Sequence, residues 1–480
     1  MASLKKNILL NYVNTITGII FPIITFPYAS RILHPEGIGV VNFHNSIISY
    51  IILLTSLGIP LYAVKEVAKY RDDIYMRNKV SVEITLLSLL FSALGYVAVF
   101  LIAQFSPQIN ENITLFYVLS LSILFNALGV NWFYQAVEEF QFITIRALII
   151  RILAALSLFI FVKKEGDIIA YALISIGSTV GNNLINFYHL RKFIQLHSLC
   201  GKRLDLRRHL KPTLRIFVLN IITSLYIQLN TVMLGYLDGD YAVGIYSAGN
   251  KLSHIILSVV ASMSTVMLPR CSNLVSNGKT EEFANVIKKS LNLILMLSLP
   301  FTFALMLLSE PLVFIFCGSS FGASIPVVYW TAPIIIFISL TNIIGIQVLY
   351  PLGKEKLVIF STLVGALLNL ALNFVLIPLY SAIGTAVSTL MAELAVFIVQ
   401  IWIGRKYFPV RFMDKEKMHY LIGSMIMVLV IVPVVMFTDG YWLQLIISAI
   451  VGVLAYGLYL LAVKDVMFLN IVNQFIKYRK

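Results

Sequence analysis

Long apolar runs separated by short polar segments fill the chain from one end to the other. Each run holds about 20 residues, the length at which an α-helix crosses a hydrocarbon core of about 30 Å. We count fourteen of them, at 8–28, 38–62, 80–103, 113–134, 143–162, 168–189, 213–236, 243–268, 290–309, 324–349, 357–378, 382–404, 419–437 and 441–463. The pattern predicts an all-α polytopic membrane protein with fourteen transmembrane helices.

The composition agrees with this pattern. Of the 480 residues, 59% are hydrophobic and 12% are charged, whereas soluble proteins carry about 25% charged residues. Lys5 and Lys6 precede the first run, as in a signal peptide, but no small-residue cleavage site follows it. We therefore expect the first run to remain as a membrane span.

The distribution of charge predicts the topology. If the N-terminus lies in the cytoplasm, the cytoplasmic segments hold 29 of the 36 lysines and arginines. This is the positive-inside bias, and it places both termini in the cytoplasm. The net charge of +14 is thus a topology signal, and no nucleic-acid partner is expected. The three cysteines fall on different sides of the membrane and predict no disulfide framework.

A basic segment separates the first six runs from the next six, and runs 13 and 14 fall outside this repeat. It reads RKFIQLHSLCGKRLDLRRHLK (Arg191–Lys211), and a shift of 205 residues across it places Gly39 on Gly244 and Lys65 on Arg270. Because six is an even number, the two halves share one orientation, as in parallel repeats about an axis along the membrane normal. Transporters of this kind bind substrate between their two halves.

The repeat predicts five regions. These are an N-terminal six-helix bundle (1–190), a basic cytoplasmic linker (191–212), a C-terminal six-helix bundle (213–406), transmembrane helices 13 and 14 (407–463) and a cytoplasmic amphipathic tail (464–480). A frayed, solvated end explains the tail equally well.

Several cations lie inside the apolar runs, where each costs about 2.5–3.5 kcal/mol unless it meets a cavity or a partner. Lys251 lies roughly 12 Å deep in span 8, and it shares a helix face with His254. Arg151 lies at a similar depth in span 5. Arg146 is nearer the headgroups, so its side chain could also snorkel, as could Arg215.

One acid lies deep in the membrane. Glu393 is roughly 16 Å into span 12, beyond the reach of either interface. It is either a neutral group hydrogen-bonded between helices or a group that couples transport to protons or other ions.

Polar side chains also recur at helical spacing on the first span of each half. Span 7 carries Asn220, Ser224, Gln228 and Thr231, and span 1 carries Asn7, Asn11 and Asn14. Such stripes either join helices, at about 0.6 kcal/mol per contact, or line a hydrated cleft. Their presence in both halves favours the cleft.

The excess of cations over acids within the spans favours an anionic substrate, because Arg and Lys pair with phosphate oxygens. The chain has no G-x-x-x-x-G-K-[ST] segment for nucleotide phosphates. No cofactor is expected, and an ion gradient or the substrate's own gradient must drive any transport.

Four motifs resemble bacterial polysaccharide flippases of the Wzx type, also called O-antigen transporters, in the multidrug/oligosaccharidyl-lipid/polysaccharide exporter superfamily. They are IIFPIITFPYASRILHPEGIGVVNFHNSIISY (19–50), GIPLYAVKEVAKYRD (58–72), NWFYQAVEEFQFITIR (131–146) and QVLYPLGKEK (347–356). With the fourteen spans, the resemblance covers essentially the whole chain.

The resemblance implies a protein that moves an undecaprenyl-diphosphate-linked oligosaccharide from the inner to the outer leaflet of the bacterial cytoplasmic membrane. It also implies two six-helix bundles in a V, alternating access and a cationic lumen, with glycan polymerase and chain-length machinery as partners. Arg31, Lys65 and Arg146 lie inside matched motifs and are carried over, Arg31 and Arg146 as expected substrate-binding residues. Arg31 is expected to cap the outer end of span 1 and Lys65 the inner end of span 2, and headgroup anchoring is the alternative for both.

Our hypothesis from the sequence is a flippase and not an enzyme. The expected substrate-binding residues are Lys251, Arg151, Arg146, Arg31, His254, Asn220, Ser224 and Gln228, with Glu393 as an ion-coupling residue and no metal site. A cation-coupled multidrug exporter would need acids in several spans. A membrane glycan polymerase or ligase would need larger outer loops than about 15 residues.

Overall fold

The computed structural model describes residues 4–194, 204–412 and 414–478, and the side chains of 4–15, 19, 218–227, 261–266 and 474–478 lie outside the description. Within the described ranges, every regular element is a helix. The α-helices are α1 (Leu4–Ser56), α2 (Ile59–Lys69), α3 (Ile74–Phe105), α4 (Pro107–Asn110), α5 (Ile113–Ala127), α6 (Asn131–Ala136), α7 (Phe140–Phe161), α8 (Ile168–Leu190), α9 (Arg207–Asp238), α10 (Asp240–Ser276), α11 (Thr280–Leu307), α12 (Ser309–Phe316), α13 (Ile325–Thr331), α14 (Ile334–Asn342), α15 (Glu355–Gly404), α16 (Lys415–Phe437), α17 (Tyr441–Ala462) and α18 (Val466–Tyr478). A 3-10 helix (Ser319–Ser324) precedes α13, and a π-helix (Ile343–Leu349) follows α14.

Among the described residues, 9 helices are long and apolar enough to cross a membrane, or up to 10 if a bent pair counts as one span. The bent pair consists of Ser319–Thr331 and Ile334–Leu349, which meet at 42°. The count leaves out α9 and α10, parts of which lie outside the description. The all-helical, membrane-spanning architecture predicted from the sequence is therefore present.

Two of these helices are interrupted. In α1, His34 leaves the helix with φ 54° and ψ 178°, and the proline that follows it disfavours the helical ψ at this position. In α15, Ser381 has φ 56°, and beyond it the chain returns so closely that a Cβ on Gly384 would lie 2.1 Å from the carbonyl oxygen of Leu376. Each interruption falls between two apolar runs that the sequence separates.

The chain divides into two compact units, residues 1–244 and residues 245–480. The first contains an aromatic-rich core at α2, α3 and α6, in which Trp132, Phe133 and Tyr134 are buried. In the second, α16 packs on α17, with a smaller cluster around Met427 and Ile431. The predicted domain boundaries at 190 and 213 stay a prediction.

Two glycines of the first unit permit a close crossing of backbones. A Cβ on Gly39 would lie 1.7 Å from the carbonyl oxygen of Asp240, and a Cβ on Gly244 would lie 1.9 Å from that of Pro35. Shifting Pro35 and Gly39 by the repeat length of 205 gives Asp240 and Gly244. The first repeat thus touches the start of the second through equivalent residues, as in an isologous contact.

The end of the predicted linker is fixed to α3 by charge. Glu83 is fully buried, and its carboxylate accepts hydrogen bonds from the backbone N–H of Asp205, at 2.8 Å, and from the guanidinium of Arg208. Nε2 of His209 lies 3.0 Å from Oε2 of Glu83, and the Tyr62 hydroxyl lies 2.7 Å from Nδ1 of His209. The buried acid therefore has partners on every side.

We expect the N-cap of α16 to contribute more stability than an ordinary cap. Asp414 accepts a hydrogen bond from the backbone N–H of Lys417 at 3.1 Å and also holds its buried ammonium group at 2.5 Å. Asp414→Ala should cost more than about 1 kcal/mol, the typical loss of a cap, because it also leaves a buried cation with one partner fewer. The thermal unfolding midpoint in detergent measures this cost.

Asp73→Ala is the matched control, since Asp73 caps α3 through Met76 at 3.0 Å without holding a buried lysine. Burial raises the pKa of the Asp414 carboxyl, but the hydrogen bonds from Lys417 outweigh burial and hold the pKa below its ordinary value. This stabilisation is present above the unfolded-state pKa and is lost as pH falls through the folded-state pKa. Acid should therefore reduce the difference in unfolding midpoint between the wild type and Asp414→Ala. Equal losses of stability in Asp414→Ala and Asp73→Ala at neutral pH would contradict the prediction.

Candidate functional site

Arg146 is a buried cation within the span-length helix α7. Its side chain is 6% exposed. Nε donates to Oδ1 of Asn182 at 2.9 Å, Nη2 donates to Oδ1 of Asn131 at 3.0 Å, and the guanidinium lies 5.3 Å from the ring centroid of Phe142. Among the described residues, Nη1 has no hydrogen-bond partner. Neutral amides thus hold the guanidinium in place and leave its positive charge uncompensated by these contacts.

The amides around Arg146 come from two elements. Asn182 and Asn186 lie one turn apart on α8, and Nδ2 of Asn186 donates to Oδ1 of Asn131 at 2.9 Å. Asn131 begins α6 because α5 ends at Ala127 and the intervening residues leave the helix. In that break, a Cβ on Gly129 would lie 2.7 Å from Oδ1 of Asn183, so glycine admits the amide.

A polar cavity of about 350 Å³ lies beside this break. We call it the amide pocket, and hydroxyl, amide and aromatic side chains dominate its lining: Thr55, Ser56, Ile59, Pro60, Ser88, Ile123, Asn126, Ala127, Gly129, Asn131, Trp132, Gln135, Thr179 and Asn183. Uncharged hydrogen-bonding groups around an aromatic ring suit a polyhydroxylated ligand, which presents both donors and acceptors.

A second cavity of about 610 Å³ lies along α7 and α8. We call it the aliphatic groove, and it is lined by Glu139, Gln141, Phe142, Ile145, Arg146, Ile149, Ile150, Ile185, His189 and Phe193. Ile145, Ile149 and Ile185 are exposed on the described surface. The hydrogen bond from Arg146 to Asn131 joins a residue of the groove to a residue of the amide pocket.

The other predicted cations of the first unit occupy different positions. Arg151 is half-buried, and its Nη1 donates to Oγ1 of Thr17 on α1 at 2.6 Å. Arg31 is exposed and donates to the carbonyl oxygen of Pro27 at 2.8 Å. Of these two, only Arg151 lies on the same helix as Arg146.

In the second unit, the predicted face of α10 is less buried than the face that carries Ser253. Lys251 is half-buried and His254 is exposed, while Ser253 on the other face bonds Thr331 at 2.7 Å. Glu393, in contrast, is 8% exposed within α15. Gln228 is half-buried on α9, and the side chains of Asn220 and Ser224 lie outside the described residues.

The amide cluster around Arg146 is absent from the candidates predicted from the sequence. One apolar run, 168–189, contains three asparagines within a stretch of five residues: Asn182, Asn183 and Asn186. This close spacing of amides was the available signal. The position of Asn131 carried no such signal, because only the break after α5 brings it to α8.

The sequence pattern of the family described as Polysaccharide biosynthesis protein matches residues 4–275, more than half of the chain. The chain belongs to this family. A second pattern, MatE, matches residues 216–375. Both families were anticipated by the resemblance to the flippases and their superfamily.

Curated relatives of this polysaccharide biosynthesis protein have names consistent with the family. A protein of Escherichia coli (strain K12) named "Putative O-antigen transporter" is 25% identical over 396 residues, covering 82% of this chain and 94% of the relative. The capsular polysaccharide biosynthesis protein CapF of Staphylococcus aureus is 24% identical, covering 79% and 93%.

Solved structures share the fold. The lipid II flippase MurJ in an inward closed conformation superposes with a TM-score of 0.67 at 18% identity, covering 96% of this chain and 99% of that one. An inward-facing multidrug resistance transporter of the MATE family superposes with a TM-score of 0.65 at 15% identity, covering 83% and 98%. The apolar helices and the relatives named as transporters together indicate that this family member is a multi-pass membrane protein.

Proposed function

We propose that the chain is a flippase that moves an undecaprenyl-diphosphate-linked oligosaccharide from the inner to the outer leaflet of the bacterial cytoplasmic membrane, for surface polysaccharide biosynthesis. Membership of the polysaccharide biosynthesis protein family supports this function. So do the names of the relatives, which include O-antigen transporters, a lipid II flippase and a glycan biosynthesis flippase. All of these relatives are named for transport or for glycan assembly.

The observation that carries the proposal is the position of Arg146. It is a buried cation in a span-length helix, held by amides, and it links the amide pocket to the aliphatic groove. Sugar hydroxyls match the amide pocket, a diphosphate matches a guanidinium, and a polyprenyl chain matches the isoleucines of the groove. These are the three chemical parts of a lipid-linked oligosaccharide, in their covalent order.

The remaining predicted residues stay candidates in this proposal. In the proposal, Lys251, Arg151 and Arg31 attract the diphosphate and anionic sugars, and His254, Asn220, Ser224 and Gln228 line the sugar path. Glu393 is the candidate for ion coupling. Glycan polymerase and chain-length machinery are the proposed protein partners.

We also propose fourteen spans with both termini in the cytoplasm, and two six-helix bundles in a V that alternate their access. The interruptions of α1 and α15 support this count, since each long helix then supplies two spans. Adding α9, α10 and the bent pair to the other span-length helices gives the predicted number.

A cation-coupled drug exporter is the second candidate, because the MatE pattern matches part of the chain. Its chemistry needs membrane acids that can exchange protons. Glu83 is engaged by Arg208 and the backbone, and Glu393 is the acid that lies deep in a predicted span. Resistance to cationic dyes conferred by the protein would favour this candidate.

Deletion of the gene in its host should remove the surface polysaccharide and accumulate its lipid-linked precursor on the inner leaflet. Arg146→Ala should restore at least tenfold less surface glycan than the wild type at equal membrane levels, because the buried charge is lost. Arg146→Lys should restore an intermediate amount, since it keeps the charge without the planar fork of donors. Arg151→Ala and Lys251→Ala should also impair restoration.

Arg191→Ala is the control, because this exposed arginine at the end of α8 lies over Tyr188, outside both cavities. It should behave as the wild type. Full restoration by Arg146→Ala would refute the proposed role of Arg146, and a deletion strain with normal surface glycan and no precursor would refute the flippase itself.

A further inference from the structure

A third cavity, of about 310 Å³, lies in the second unit and is formed by α10, α11, the π-helix and α18. We call it the Gln347 cavity. It is lined by Met267, Arg270, Glu282, Asn285, Val286, Lys289, Ser290, Leu293, Ile294, Gln347 and Met467. None of these residues belongs to the site proposed above, and the charge pattern places this region on the cytoplasmic side.

Gln347 is fully buried, yet neither Oε1 nor Nε2 has a hydrogen-bond partner among the described residues. An unsatisfied buried amide destabilises the folded protein, and native structures rarely keep one without a reason. The residue belongs to the π-helix Ile343–Leu349, and such turns often occur at functional sites. A ligand in the cavity would satisfy the amide.

The charges around the cavity select an anion. Arg270 on α10 and Lys289 on α11 are exposed and form no salt bridge among the described ion pairs. The acid in the lining, Glu282, already accepts a hydrogen bond from Lys279 at 2.7 Å. Two cations and an amide donor match the oxygens of a phosphate group.

The walls of the cavity are apolar. Val286 and Leu293 continue along α11, and Met467 contributes from α18, whose apolar positions recur on one face. A free inorganic anion has no apolar surface to bury against these walls, whereas the acyl chains attached to a lipid phosphate do. An amphipathic helix beside basic residues is also typical of segments at the cytoplasmic interface.

We infer that the Gln347 cavity binds the phosphate group of an anionic lipid from the cytoplasmic leaflet. Arg270 and Lys289 hold the phosphate, the amide of Gln347 donates to it, and the first carbons of the lipid chain lie against Val286, Leu293 and Met467. The bound lipid ties α18 to α10 and α11. This site is independent of the transported substrate.

Thermal unfolding of the delipidated, full-length protein tests the inference. Phosphatidylglycerol should raise the unfolding midpoint, whereas phosphatidylcholine and inorganic phosphate should not. The double variant Arg270→Ala/Lys289→Ala should weaken apparent phosphatidylglycerol binding at least tenfold. Lys356→Ala is the matched control, because this exposed lysine of the second unit lies outside the cavity, and it should bind as the wild type does.

Gln347→Leu separates a binding role from a structural one. Leucine is similar in size to glutamine but has no unsatisfied amide, so the lipid-free variant should be at least as stable as the wild type. Its response to phosphatidylglycerol should be lost. A phosphatidylglycerol shift that survives in the double variant or in Gln347→Leu would overturn the proposal. An equal shift with inorganic phosphate would overturn the lipid as the ligand.

Discussion

Replacement of Gly39 by alanine is expected to prevent the first unit from folding normally. The new Cβ would lie 1.7 Å from the carbonyl oxygen of Asp240 and 2.9 Å from the backbone nitrogen of Gly244. Both neighbours are backbone atoms, which no rotamer change can move. Overpacking in cores costs about 1–3 kcal/mol where side chains can adjust, so we expect a larger loss here.

The equivalent substitution, Gly244→Ala, should have the same effect, since its Cβ would lie 1.9 Å from the carbonyl oxygen of Pro35. The loss in both variants, Gly39→Ala and Gly244→Ala, is measured as folded yield by fluorescence-detected size exclusion and as the unfolding midpoint. Gly177→Ala on α8 is the control, because a Cβ there meets nothing within 4 Å, and alanine favours helices over glycine by about 1 kcal/mol. A Gly39→Ala protein as stable as Gly177→Ala would contradict the close crossing.

Removal of the buried carboxylate of Glu83 is expected to be almost as damaging. Glu83→Ala leaves the backbone N–H of Asp205 and the guanidinium of Arg208 without their shared acceptor, and it removes the contact with the buried ring of His209. Loss of one partner of a buried pair costs about 3–5 kcal/mol. We expect the lower end of this range, because the side chain of Arg208 is 31% exposed and stays partly hydrated.

The unfolding midpoint again gives the measurement. Glu83→Gln should lose less, because the amide oxygen can still accept one hydrogen bond. Glu282→Ala removes an acid from an exposed pair with Lys279 and should cost about 0.2–1 kcal/mol at most. If Glu83→Ala and Glu282→Ala proved equally stable, Glu83 would not hold the linker to α3.

The sequence was informative about those features that depend on contact with water or lipid. Lipid requires each spanning segment to satisfy its own backbone hydrogen bonds, so apolar runs predicted helices, and the interruptions at His34 and Ser381 fall between runs. The sequence also contained a recognisable repeat. A shift of 205 residues aligns Gly39 with Gly244, and the two glycines lie together in the first unit. Arg146 was identified because a cation in an apolar run is conspicuous.

The partners of Arg146 were not predictable in the same way. Asparagine in an apolar run is compatible with a helix contact, a cavity or a cap, and periodicity cannot choose among them. Asn131 meets Arg146 only because the chain leaves the helix between Ala127 and Asn131. Gln347 stands in the QVLYPLGKEK motif with nothing in the sequence to mark it, since its burial without a partner depends on the π-helix around it.

The sequence by itself determined that this is a multi-pass helical protein, which family it resembles, and which charged residues fall within the apolar runs. These properties follow from residue-by-residue transfer between water and lipid, which needs no knowledge of neighbours. Only the tertiary structure decided which amides hold Arg146, how the amide pocket and the aliphatic groove meet at it, and that Glu83 and Gln347 are buried. Such contacts join residues far apart in the chain, and their energies depend on geometry that composition and periodicity do not specify.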